Sequence, residues 1–223
     1  MPPESNLSNP SLSITTPVTK PPTEILPGIF AFPPNRDTLG GTAYAIVTPN
    51  GNILIDSPAW NDVNRQFVRD RGGIRSLAIT HRGGIGQTPA IVSEFNCEVV
   101  VQEQEAYLLP GLKVTTFESK ISINDSIHAI WTPGHSPGSF CVYYAEAGGV
   151  LFTGRHLLPD HLGAAVPIRT PKTFHWPRQL RSVAAIWQHF PALQPLSHIC
   201  PGANTGLLRG RGTIKIDRDR SAV

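Results

Sequence analysis

Residues 132–139 read Thr132-Pro133-Gly134-His135-Ser136-Pro137-Gly138-Ser139, and this stretch decides the fold. It joins two predicted strands, Ile127 to Trp131 and Phe140 to Tyr144, both short apolar runs rich in β-branched and aromatic residues. Working outward, a further strand is predicted at Val150 to Phe152, followed by Thr153-Gly154-Arg155. Upstream, Ser76 to Thr80 is the kind of apolar run a buried strand gives, and it leads into the loop His81-Arg82-Gly83-Gly84-Ile85-Gly86. Strands are also predicted at residues 28–32, 42–48, 51–56 and 97–101, with Pro49-Asn50-Gly51 as a hairpin turn and Ser197 to Pro201 as the last strand. Three helices interleave. Val63 to Arg71 stops at Gly72-Gly73, residues 88–95 start with Thr88 as N-cap and Pro89 in the first turn, and Arg178 to Phe190 repeats apolar residues at helical spacing. Two halves with one rhythm predict an α+β chain of two packed sheets with helices outside.

The 223 residues fit one domain with tails. Residues 1–22, rich in Ser, Thr, Pro and Asn, are expected to form a flexible tail, residues 23–212 the domain, and residues 213–223 a charged C-terminal tail. A net charge of +3 is mild, and the basic residues at the C-terminal end have no aromatics between them, which argues against a nucleic-acid partner. No stretch approaches the roughly 20 apolar residues of a membrane span, and the N-terminus has neither a basic leader nor an apolar h-region. A cytoplasmic protein is therefore expected. Cys97, Cys141 and Cys200 are read as small buried core residues, since no Cys or Cys/His pair has zinc-finger spacing. Trp131 and Trp187 are assigned to the core, and His128, His189 and His198 to core or surface positions.

Taken in series, five segments resemble the metallo-β-lactamase superfamily. Residues 52–57, ending Asp56-Ser57, resemble its strand ending in Asp, and Ala78-Ile79-Thr80-His81 its strand into the metal loop. Residues 132–139 are close to its TPGH(S/T)PG signature, Val150 to Gly154 to its LFTGD, and Ile199 to Gly202 to the turn carrying its last ligand. The resemblance covers about residues 24 to 210 and implies a four-layer αββα sandwich. It also implies an active site on one edge, with two divalent metals, usually zinc, held by His and Asp. There the metal-bound hydroxide is the nucleophile.

The ligand positions that the resemblance implies are mostly empty of donors. The H-x-H-x-D-H loop falls on His81, Gly83, Ile85 and Gly86, the next His on His135, the bridging Asp on Arg155 and the final His on Ala203. Only His81 and His135 keep a lone pair to give, and catalytic zinc usually takes three protein ligands and a water. A guanidinium at position 155 repels a cation. No catalytic residue, metal ligand or cofactor is therefore assigned, zinc included, and the chain reads as a degenerate, non-catalytic member. A relocated site using His156, with His161, His175 and Asp160 in the same loop, is the less favoured reading.

Formal charge leaves the cleft positive, and two readings stay open. Either His81, Arg82, Gly83, Gly86, His135, Arg155 and Ala203 line a pocket for a small anion, the glycines exposing backbone N–H groups, or Arg155 pairs internally with a structural Asp56 and plugs the cleft. Two other classes compete. One is a hydrolase with a mononuclear or metal-independent site, using His81 and His135 as base or acid and Ser136 or Ser139 as nucleophile. The other is an interaction protein that offers its tails and the Pro-rich loop 157–177 with Phe174 and Trp176 to a protein partner.

Overall fold

The computed structural model describes residues 20–189 and 195–216. Most of both predicted tails lies outside them. The first sheet has seven strands in chain order: β1 (Thr23–Leu26), β2 (Ile29–Ala31), β3 (Tyr44–Ile46), β4 (Ile53–Ile55), β5 (Ser76–Ala78), β6 (Glu98–Gln102) and β7 (Val114–Phe117). It is antiparallel from β1 to β4 and parallel from β4 to β7. The second sheet takes β8 (Lys120–Ser122), β9 (Ile127–Trp131), β10 (Phe140–Tyr144) and β11 (Val150–Gly154). A small hairpin of β12 (Leu158–Pro159) and β13 (Ala165–Val166) follows, and the chain returns to the second sheet through β14 (His198–Pro201) and β15 (Ile214–Lys215). Their spatial order is β15-β14-β11-β10-β9-β8, with β11 and β14 parallel.

Period-two side-chain alternation builds the layers. Tyr44, Ile46, Ile53, Ile55 and Val100 meet Ile127, Ala129, Phe140, Val142, Phe152 and Cys200 between the sheets. The alternate residues Leu54, Leu77, Val99 and Val101 face outward onto α1 (Asp62–Arg69) and α2 (Thr88–Phe95), through Val68 and Ile91. On the far side Cys141, Tyr143, Leu151 and Ile199 pack under Ile186 of α3 (Trp176–His189). Burial on both faces explains why these strands read as nearly unbroken apolar runs. The αββα architecture expected from the sequence is present, and all three cysteines are buried and free.

Some local expectations change. Gln87, not Thr88, is the N-cap of α2, because the Thr88 hydroxyl turns back to donate to the Ile85 carbonyl at 2.6 Å. The Pro-rich loop contains the β12–β13 hairpin. Ile214 and Lys215, placed in a charged tail by the sequence, pair with Ile199 and His198 as an edge strand, so the sheet runs past residue 212. Trp131 and Trp187 are half-buried at the margins of the core. Among the described residues no helix is long and apolar enough to cross a membrane.

The topology also fixes where a site can lie. Strands β4 and β5 are parallel, and so are β11 and β14, while β9 runs with β11 because both are antiparallel to β10. The segments after β4, β5, β9, β11 and β14 carry Asp56, His81, His135, Arg155 and Ala203, and strand direction delivers them to the same edge of their sheets.

Candidate functional site

Asp56 follows β4 in the left-handed region, at φ 57°, with its carboxylate buried. The Thr80 amide donates to its Oδ1 at 2.8 Å and the Thr80 hydroxyl to its Oδ2 at 2.7 Å. That hydroxyl has one proton, already given to Asp56, so in its 3.0 Å contact with His81 Nδ1 it accepts. His81 is therefore protonated on Nδ1 and bare on Nε2. Burial, with His135 and Arg155 nearby, holds His81 well below the usual imidazole pKa. Its 3.9 Å approach to Asp56 is thus a contact of a neutral ring and not an ion pair. Burial lifts Asp56 to about 6 against the pull of the Thr80 hydrogen bonds and the Arg155 charge.

Thr80 thus joins a carboxylate and an imidazole, a role the sequence did not signal. Thr80→Val keeps the shape but leaves a buried acceptor and a buried N–H unpaired. It is expected to cost about 2–4 kcal/mol and to lower Tm by roughly 5–15 °C. Calorimetry checks this, with Thr80→Ser expected to retain most of the wild-type stability.

His135 lies edge-on to His81, ring centroids 5.1 Å apart. Burial, then Arg155, then Arg82 lower His135 to about 4. His156 is also buried, and burial, with His135 nearby, lowers it to about 4. Among the described residues His81 Nε2, His135 Nδ1, both ring nitrogens of His156 and Gln179 Oε1 are buried without a hydrogen-bond partner. Three imidazoles held neutral form a polar cluster inside the edge.

Arg155 does not make the expected pair with Asp56. No carboxylate lies within 4 Å of it among the described residues, although Asp56 acts on it through space. Its Nη2 instead donates to the carbonyls of Thr38 and Leu39, at 2.9 and 2.8 Å. Those carbonyls belong to a 3-10 turn capped by Asn35, whose last residue, Leu39, is left-handed at φ 55°. Arg82, the other cation of the set, gives its Nε to the buried carboxylate of Glu105 at 3.0 Å.

The glycines of the loop face protein. A Cβ on Gly84 would lie 2.3 Å from Asp56 Oδ1, one on Gly86 2.7 Å from Ser57 Oγ, and one on Gly83 3.0 Å from His81 Nε2. The Gly84 amide is used on the His81 carbonyl and its own carbonyl receives the Ser57 amide. Ala203 is buried beside Gly202, whose amide bonds the Gly154 carbonyl. In the signature loop Ser139 Oγ accepts the Ser136 amide at 2.7 Å and lies 2.8 Å from Ser136 Oγ, so both hydroxyls brace the turn. Among the described residues neither hydrogen-bonds an imidazole. Phe174 is exposed and Trp176 half-buried.

These residues do not fit a dinuclear divalent metal centre. Two adjacent imidazoles offer lone pairs, but Gly83, Ile85, Gly86 and Ala203 have no donor atom to add, and Arg155 puts a positive charge beside both rings. Among the described residues no group of three or more His, Cys, Asp or Glu side chains is placed to hold a metal.

No protein-family model matches the chain, and no curated protein sequence does. Solved structures do. An archaeal metallo-β-lactamase superfamily protein from Sulfolobus tokodaii superposes with a TM-score of 0.57 at 15% identity, over 84% of this chain and 81% of that one. A protein solved in a di-iron-bound form, TTHA1623, gives 0.59 at 19%, over 81% and 98%. A quorum-quenching N-acyl homoserine lactone hydrolase gives 0.54 at 18%, over 73% and 78%. At such identities the likeness establishes the fold alone.

Proposed function

We propose that this chain, which has the metallo-β-lactamase fold, is a non-catalytic protein in which Arg155 closes the cleft from inside. The observation that carries the reading is the pair of bonds from Arg155 Nη2 to the Thr38 and Leu39 carbonyls, which tie the end of β11 to the 35–41 turn of the first sheet. Most of the groups that an anion would recruit are already engaged, and the unpartnered nitrogens of His81, His135 and His156 belong to buried rings held neutral. Arg82 is held by Glu105, the loop glycines pack on Asp56, Ser57 and His81, and Thr80 uses its hydroxyl on Asp56. Arg155 then takes the place of an ion as the positive charge opposite Asp56, linking the two sheets at one edge.

The test compares wild type with Arg155→Met. Losing two charged hydrogen bonds, partly exposed to solvent, is expected to cost about 1–3 kcal/mol. No hydrolysis of lactone, thioester or β-lactam probes above buffer is expected from zinc-supplemented wild type. Turnover that depends on added metal overturns the reading. So does saturable stabilisation by phosphate or acetate in wild type and not in Arg155→Met, because the cleft then holds an anion between His81, His135 and Arg155.

A further inference from the structure

Away from that edge, a groove of about 400 Å³ runs between α3 and the margin of the second sheet. Its volume falls in the range of small-molecule sites. Ile130, Trp131, Ala185 and Ile186 wall it, and Lys120 stands at the rim. Register explains the arrangement. Lys120 is directly opposite Ile130 in the β8–β9 pair, and cross-strand partners share a face. Ile130 packs with Ile186 on the α3 side of the sheet, so the edge lysine is delivered to the same side.

Three polar side chains of the walls are occupied, while Ser119 lies exposed beside Lys120. Ser182 Oγ donates to the Pro133 carbonyl at 2.7 Å, Thr132 Oγ1 lies 3.4 Å from Cys141 Sγ, and Trp131 Nε1 donates to the Pro137 carbonyl at 2.9 Å. The groove therefore offers a ligand apolar walls and cationic charge. Lys120, the cation of the lining, is exposed, and the Arg178 guanidinium, outside the lining, sits over the Trp131 ring, 4.8 Å from its centroid. No carboxylate lines the groove, and among the described residues neither cation is in an ion pair.

We propose that this groove binds a medium-chain aliphatic carboxylate, its chain along Ile130, Ala185 and Ile186 and its charged end on Lys120. The proposal is independent of the reading of the Arg155 edge.

Calorimetric titration of the full chain with decanoate, below its micelle concentration, tests it against decanol and decyltrimethylammonium. One saturable site is expected for decanoate, about fivefold weaker for the alcohol and undetectable for the cation. Lys120→Glu, at an exposed position, is expected to weaken decanoate about tenfold or more. Ala185→Trp, which fills the groove, is expected to abolish binding. Absence of binding by wild-type protein, equal affinity for decanol, or unchanged affinity in Lys120→Glu each overturns the proposal. Should Ala185→Trp fail to fold, Lys120→Glu and the ligand series decide alone.

Discussion

Gly134→Ala is expected to destabilise the protein by about 3–5 kcal/mol, because the substitution fails on two separate grounds. Gly134 sits at φ 145°, where a side chain is strained by roughly 1–3 kcal/mol. A Cβ there would also lie 2.3 Å from the Cα and 2.4 Å from the amide nitrogen of Gln179, within the backbone of α3. Helix and loop cannot simply separate. The His175 amide bonds the Gly134 carbonyl at 2.9 Å, the Phe174 amide the His135 carbonyl at 3.0 Å, and Ser182 Oγ the Pro133 carbonyl. Forcing a backbone apart costs about a further 1–3 kcal/mol. A fall in Tm of about 10 °C is expected, with a change in the near-ultraviolet dichroism of Trp131 and Trp176. Gly111→Ala is the control. Its φ is 78° and nothing lies within 4 Å of its added Cβ, so it reports strain without collision and is expected to cost about 1 kcal/mol. Equal losses in the two variants would show that helix packing is not what position 134 serves.

This result bears on how the signature loop is read. In this chain residues 132–139 seat α3 and brace themselves through Ser136 and Ser139, work that needs no metal. The motif is therefore legible as a fold signal, because it seats α3 and braces its own turn. The two-sheet layout was readable because strands buried on both faces carry apolar residues at nearly every position, as in Ile53-Leu54-Ile55. Strands β1, β7 and β8 were not, since Thr23–Leu26 and Lys120–Ser122 mix exposed and half-buried residues and Val114–Phe117 buries only Phe117. At the site, His81 and His135 were found by their place in motifs. The partner of Arg155 was not, because it is a pair of backbone carbonyls more than a hundred residues away, and carbonyls leave no mark in a side-chain pattern. Asp56 was the natural candidate partner, but Thr80 already supplies it with two donors. The Arg82–Glu105 pair was hidden for a similar reason. Glu105 lies in a polar 3-10 turn, and nothing in its neighbours marks it as buried.

The three buried imidazoles make stability fall steeply on acidification. Burial lowers His135 and His156 to about 4 and holds His81 well below its ordinary range, against about 6.5 in an unfolded chain. Between these values the unfolded chain holds three protons that the native chain does not, so their contribution is present above pH 6.5 and is lost as pH falls. Asp56 acts in the opposite sense. Lifted to about 6 from about 4, it is protonated in the native state first and returns some stability on the way down. Burial sets the direction of all three histidine shifts, and the Arg155 charge adds to it at His81 and His135. Near pH 5 three imidazoles against one carboxyl leave an uptake of about two protons on unfolding, a slope of about 3 kcal/mol per pH unit. Between pH 7 and pH 5 the free energy of unfolding from urea titrations is expected to fall by about 4 kcal/mol. His156→Leu fills a similar volume and removes two unpartnered nitrogens together with one proton of the linkage. Relative to wild type it is expected to regain about 2 kcal/mol at pH 5 beyond any difference at pH 7.5. A stability that is flat or rising from pH 7 to pH 5 would mean that these rings are charged in the native protein, and a cluster of imidazolium ions around Arg155 is incompatible with a cleft closed from inside.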